Sequence, residues 1–187
     1  MDAITLLKAD HKAVEKLFKA FEKLGEGALV TKQKTVASVI EDLSVHAAIE
    51  EQVFYPAVRA EVEGVLDDVL ESLEEHHIVK WTLSELQDMR PEDERFDAKV
   101  TVLIESVRHH VQEEEQELFP KVRQALGRKR MGEIGAAMEA AKKTAPTRPH
   151  PRAPDTPPAN LAAGAVAGAV DKARSAGKRA VKKGRAR

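Results

Sequence analysis

Four stretches of this sequence carry an apolar seam in steps of three and four residues, the spacing that stacks side chains on one face of an α-helix. Each seam is broken by a histidine. The first reads Ile4, Leu7, His11, Val14, Phe18, Phe21, and the second Val36, Val39, Leu43, His46, Glu50, Val53, Ala57. The third reads Val69, Leu73, His76, Val79, Leu83, Leu86, and the fourth Val100, Leu103, Val107, His110, Glu114, Leu118. On the second and fourth a glutamate follows the histidine by one turn, on the same face. Burying such groups without partners is costly, most of all for an ionised carboxylate. Four helices that turn six of them toward a common core need compensation, and a metal centre supplies it. Neutral imidazoles and carboxylates bind first-row divalent metals, and facing helices of a bundle are a place where such sites are built.

The punctuation around the seams sets the helix ends. A first helix is expected over Ala3–Leu24, ending in the Gly25/Gly27 loop. A second spans Thr31–Arg59, with Pro56 predicting a kink or an early end in its last turns. A third covers Gly64–Met89 before Pro91, and a fourth covers Phe96–Leu126, closed by Gly127. A shorter amphipathic segment, Arg130–Lys143, reads as a fifth helix packed on the others. No alternating run competes as a strand. Short loops between long helices predict an all-α fold, an antiparallel up-and-down four-helix bundle.

The chain has no cysteine, which excludes disulfides, zinc ribbons, haem attachment and thiol chemistry. The segment MDAITLLKADHK has no apolar leader, and no stretch is long enough in apolar residues to cross a bilayer, so a cytoplasmic protein is expected. The formal net charge of −1 hides an asymmetry: residues 144–187 stand at +8 and residues 1–143 at −9. The boundaries follow: a helical body over 1–143, a proline-rich linker over 144–160 and an Ala/Lys/Arg-rich basic tail over 161–187. The tail is expected to be disordered alone and helical when bound to something.

The second and fourth helices repeat each other. His46, Glu50, Glu51, Phe54, Tyr55 and Pro56 stand in the same register as His110, Glu114, Glu115, Leu118, Phe119 and Pro120. Such a pseudo-twofold suits two metals. Histidine on each helix, with His-x-x-x-Glu on the second and fourth, resembles the hemerythrin family in its HHE cation-binding branch, over residues 5 to 125. The resemblance implies a hemerythrin-like bundle and a cofactor of two non-haem iron ions, oxo- and carboxylate-bridged. In it Glu50 and Glu114 bridge, and His11, His46, His76 and His110 are terminal ligands. One departure stands out. Where the family's full set has a second histidine on the third helix, this chain has Lys80. Water, an exogenous ligand, His77 or Tyr55 is left to fill that position.

Several residues read differently. His77 and His109 point about 100° away from the seam histidines beside them, onto solvated surface. Glu51, Glu113, Glu115 and Glu117 read as an acidic outer face, some of them orienting ligand histidines from behind. Tyr55 lies nine residues past His46, half a turn round an ideal helix, and reaches the metals only if the helix deforms near Pro56. A ferritin-like site needs two Glu-x-x-His pairs, and only Glu74/His77 is present.

The function expected is binding of, or reaction with, dioxygen, hydrogen peroxide or nitric oxide. The open position left by Lys80 favours peroxide or nitric oxide detoxification, of catalase-like type, over oxygen carriage. Iron or oxygen sensing without turnover is the alternative. A reading from another class places function in the tail, whose cations would bind nucleic acid without sequence preference; a solubilising extension is the plain counterpart.

Overall fold

The computed structural model describes residues 1–184, with side chains described through residue 174 and at Ala176. Among the described residues all regular structure is helical. The helices are α1 (Ala3–Glu22), α2 (Leu29–Ile49), α3 (Tyr55–Glu61), α4 (Leu66–Asp88), α5 (Phe96–Glu113), α6 (Phe119–Ala125), α7 (Arg128–Lys142) and α8 (Ala159–Gly184). α1 starts on Asp2, whose carboxylate accepts from the Thr5 backbone N–H and hydroxyl. None of the described helices is long and apolar enough to cross a membrane.

Two apolar clusters fill the bundle, one on each side of the histidine layer. Ile4, Leu7, Val58, Val69, Leu73 and Leu118 belong to one, and Val14, Phe18, Leu43, Val79, Leu83 and Val107 to the other. α1 and α4 therefore run from the first cluster to the second, and α2 and α5 run back. This is the antiparallel arrangement expected, and the buried polar layer sits where the two halves of the core meet.

Pro56 and Pro120 do not end their helices. A five-residue π turn, Glu50–Phe54, joins α2 to α3, and a second, Glu114–Leu118, joins α5 to α6. The Tyr55 N–H bonds to the Glu50 carbonyl and the Phe119 N–H to the Glu114 carbonyl, a step of five residues. A proline has no N–H for the carbonyl four residues back, and its ring crowds that carbonyl, so the turn before it widens. One extra residue in the turn is worth about 100°, which brings Tyr55 from the far side of the helix to within about 80° of the His46 face.

Ala159–Gly184 is a helix, and its first half lies on the body. Asn160 Nδ2 donates to the Glu51 carbonyl at 2.9 Å. That carbonyl needs an outside donor: Tyr55, four residues on, is engaged by Glu50, and Pro56, five on, has no N–H. Gly164 comes against Gln52, and Gly168 against the Thr144 and Ala145 carbonyls, so closely that a Cβ would collide. Asp171 is fully buried and accepts from the Thr147 N–H at 3.1 Å, with His150 Nε2 3.2 Å away. The most cationic stretch of the tail, residues 178–187, lies outside the residues whose side chains are described.

Candidate metal centre

The six seam residues converge. His11, His46, Glu50, His76, His110 and Glu114 are all buried, Glu50 completely. Inside the layer, His46 Nε2 lies 3.0 Å and His76 Nε2 3.4 Å from Glu50 Oε2. His11 Nε2 lies 3.3 Å and His110 Nε2 3.6 Å from Glu114 Oε2. His76 Nε2 and His110 Nε2 are 3.3 Å apart. Ligand atoms of His11, His46, Glu50 and Glu114 fall within 4.8 Å of one another, as do those of Glu50, His76 and His110. Two donor groups thus share Glu50.

Several of these atoms have no hydrogen-bond partner among the described residues: His11 Nε2, His46 Nε2, both Glu50 carboxylate oxygens and Glu114 Oε2. Buried polar groups are nearly always paired. A cluster of inward-facing orphans made only of imidazole nitrogen and carboxylate oxygen is the donor set that a cation satisfies, so the residues present fit a metal.

Three of the four outer ring nitrogens are held by hydrogen bonds. Glu115 Oε1 lies 2.9 Å from His11 Nδ1, Glu51 Oε1 3.0 Å from His76 Nδ1, and Glu75 Oε2 2.7 Å from His110 Nδ1. Asp10 Oδ2 stands 3.7 Å from His46 Nδ1. An acid accepting the Nδ1 proton fixes the tautomer whose Nε2 lone pair points inward. Glu51 is therefore not on the solvated face where the sequence placed it; it is 6% exposed and takes both His76 and Lys80. The π turn rotates it inward.

Lys80 is also buried, and its Nζ donates to Glu51 Oε1 and Oε2 at 2.9 and 3.1 Å. The residue that replaces a histidine thus pairs with Glu51, the acid behind His76, instead of entering the layer. His77 does not enter either, which corrects its place among the candidate ligands: it is exposed and accepts from Trp81 Nε1 at 3.0 Å. His109 is exposed as well, beside Glu113. Tyr55 does reach the layer. Its hydroxyl donates to Glu114 Oε1 at 2.9 Å and lies 3.4 Å from His76 Nε2.

Electrostatics follow the burial. Burial lowers the His46 pKa to about 4 against the pull of Asp10, and lowers that of His76 against Glu51. Burial and the facing Glu114 push Glu50 well above the usual carboxylate range. Glu114 is buried too, but His110, His11 and His46 bring it down to about 2. Two carboxylates facing each other without a cation cannot both carry charge comfortably.

Comparison with known proteins agrees with this geometry. The pattern that defines the hemerythrin HHE cation binding domain matches residues 2–122, well over half of the chain. The chain belongs to the hemerythrin HHE cation-binding family. An uncharacterised hemerythrin-like protein of Schizosaccharomyces pombe is 28% identical over 166 residues, covering 88% of this chain and 81% of the relative. A DNA nickase of the cyanobacterium Nostoc is 29% identical over 143 residues, which cover 76% of this chain but 39% of the nickase. In structure, a hemerythrin HHE cation binding domain-containing protein from Mycobacterium kansasii superposes with a TM-score of 0.66 at 19% identity, over 76% of this chain and 86% of that one. At that identity the likeness shows the fold.

Proposed function

We propose that this HHE domain is a cytoplasmic non-haem di-iron protein that reacts with peroxide or nitric oxide in preference to carrying dioxygen. The observation that carries the reading is the set of orphaned inward-facing donors. His11, His46, Glu50 and Glu114 would hold one iron, and His76 and His110 the other, with Glu50 common to both groups. Iron at such N/O donors supplies two neighbouring one-electron centres for a bound small oxidant.

What the chain's own residues contribute is legible. Glu115, Glu51 and Glu75 hold the His11, His76 and His110 imidazoles in one tautomer. The two apolar clusters pack on either side of the layer. Tyr55 holds a proton: burial, with Glu114 and Glu50 nearby, pushes its hydroxyl well above its ordinary pKa. The donor group around His76 and His110 has one member fewer than the other, because Glu114 is not among its close donors, and Lys80, where the family's full set has a further histidine, turns outward to Glu51. A small ligand has a place there, which supports turnover over clean carriage.

The test is metal analysis with optical spectra before and after hydrogen peroxide, on wild type and Tyr55→Phe. Two irons per chain and a near-ultraviolet spectrum that changes while peroxide is consumed are expected. Tyr55→Phe should keep the iron and alter the visible spectrum if the hydroxyl oxygen is a ligand. Zinc or manganese in place of iron, or iron that ignores peroxide, would sink the reading.

A second reading has its own support: the +8 tail and the similarity to a DNA nickase. The tail would then be a nucleic-acid arm. Truncation after Gly177 removes six Lys and Arg and spares the part of α8 that lies on the body. Salt-sensitive retention of DNA by the full chain, lost on truncation with the metal spectrum intact, is the expected result. Equal retention by both forms would dismiss the arm.

A further inference from the structure

A cavity of about 740 Å³ opens at the surface beside α1 and α5 and ends on the histidine layer. His11, His46, His76 and His110 form its floor, and Val14, Phe18, Leu43, Val79 and Val107 its walls. Lys8, Lys12, Glu15, Arg108 and Glu115 ring its mouth. Dioxygen, nitric oxide and peroxide are water-sized, and a water's share of liquid is only about 30 Å³. Pockets of roughly 300–1,000 Å³ with apolar walls and a few polar groups are the size that encloses an organic ligand.

Charge at the mouth narrows the class. Lys8 is paired with Glu115 at 3.0 Å, and Arg108 is paired with Glu15 and Glu22 at 3.0 and 2.8 Å. Lys12 is exposed and, among the described residues, is the cation at the mouth that enters no ion pair. One free ammonium above an apolar shaft is complementary to an anionic head with a hydrocarbon chain.

We propose that this cavity binds an amphipathic organic anion, an alkyl chain with a carboxylate head, with the head at Lys12 and the chain running between Val14, Phe18 and Val107 toward the four histidines. What happens to the chain end at the floor rests on the metal centre proposed above; the binding does not.

The experiment is calorimetric titration of the purified full chain with straight-chain carboxylates of increasing length, with metal content measured on the same sample. Each added methylene should tighten binding by about fourfold until the cavity is full. Lys12→Glu should weaken the carboxylates by about fivefold and leave the matching alcohols unchanged, while Lys12→Arg preserves both. Val111→Trp, which places an indole at a half-buried wall position, should abolish binding without removing metal. No carboxylate binding in a sample that holds its metal overturns the proposal, leaving a path for small oxidants. Affinity that ignores both chain length and Lys12→Glu overturns it as well. Binding intact in a sample without metal upholds the cavity and sinks only the metal centre.

Discussion

Each inward histidine is backed by an acid from the next helix of the bundle. Asp10 on α1 stands behind His46 on α2, and Glu51 from the following π turn behind His76 on α4. Glu75 on α4 stands behind His110 on α5, and Glu115 from the next π turn behind His11 on α1. The circuit closes on itself. Every one of these acids is the immediate sequence neighbour of a seam residue, which was a visible signal. Which histidine each serves depends on how neighbouring helices pack, and periodicity within one helix carries no information on that. Glu51→Gln leaves the His76 ring with a weaker acceptor and Lys80 without its counter-charge; metal affinity should fall by about 10- to 100-fold. Competition with a chromophoric chelator measures it, and an unchanged constant would make Glu51 a partner of Lys80 only. His46 gives the pH dependence. Its folded pKa of about 4 lies below its ordinary 6.5, so in the metal-free protein the unfolded chain takes up a proton that the native one refuses. Stability is therefore whole above pH 6.5, declines down to about pH 4 and then levels off, a loss of about 3 kcal/mol from this group. Urea unfolding of chelator-treated protein across that window should follow this slope, and a flat profile would mean that His46 is hydrated.

Among the elements, the long helices were legible and the π turns were not. The seams fixed α1, α4 and α5 to within a few residues, because a half-buried helix advertises its inner face over many turns. Pro56 and Pro120 announced a disturbance, but its form depended on the chain's ability to widen and to find donors for the carbonyls released. For Glu51 that donor is Asn160, at the start of α8, so the tail and the turn that carries Glu50 and Glu51 are joined. Composition alone made the tail disordered; what it could not show is that Gly164 and Gly168 let α8 approach the body closely. Gly168→Leu should displace the first half of α8, because the side chain meets the Thr144 and Ala145 carbonyls. Proteolysis between residues 150 and 170 should then become fast, with a stability loss of about 1–3 kcal/mol as Asp171 and the Glu51 carbonyl lose their partners. A Gly168→Leu protein as resistant as wild type would place α8 free of the body in solution.

For the molecule as a whole, the buried layer is both the site and the weakest plane of the core. It divides the apolar interior into two clusters, and without a cation it leaves five inward-facing ligand atoms unpaired, three of them on two carboxylates pushed to opposite ends of their range. The internal repeat makes the same demand on both halves, since α2 and α5 each bring a histidine, a glutamate and a π turn to one level. Cation binding and folding are therefore linked: a ligand that binds only the native state at a thousandfold excess over its dissociation constant adds about 4 kcal/mol. In a chain of this size that corresponds to about 10 °C in Tm. Removing metal with a chelator should lower Tm by that amount and restoring ferrous iron should recover it, while the far-ultraviolet circular dichroism of both forms stays helical at 25 °C because the two apolar clusters remain packed. Calorimetry of the same sample before and after removal decides the matter. A Tm that does not move would mean that the layer is satisfied by water, and that the cost of six buried polar residues is met without a cation.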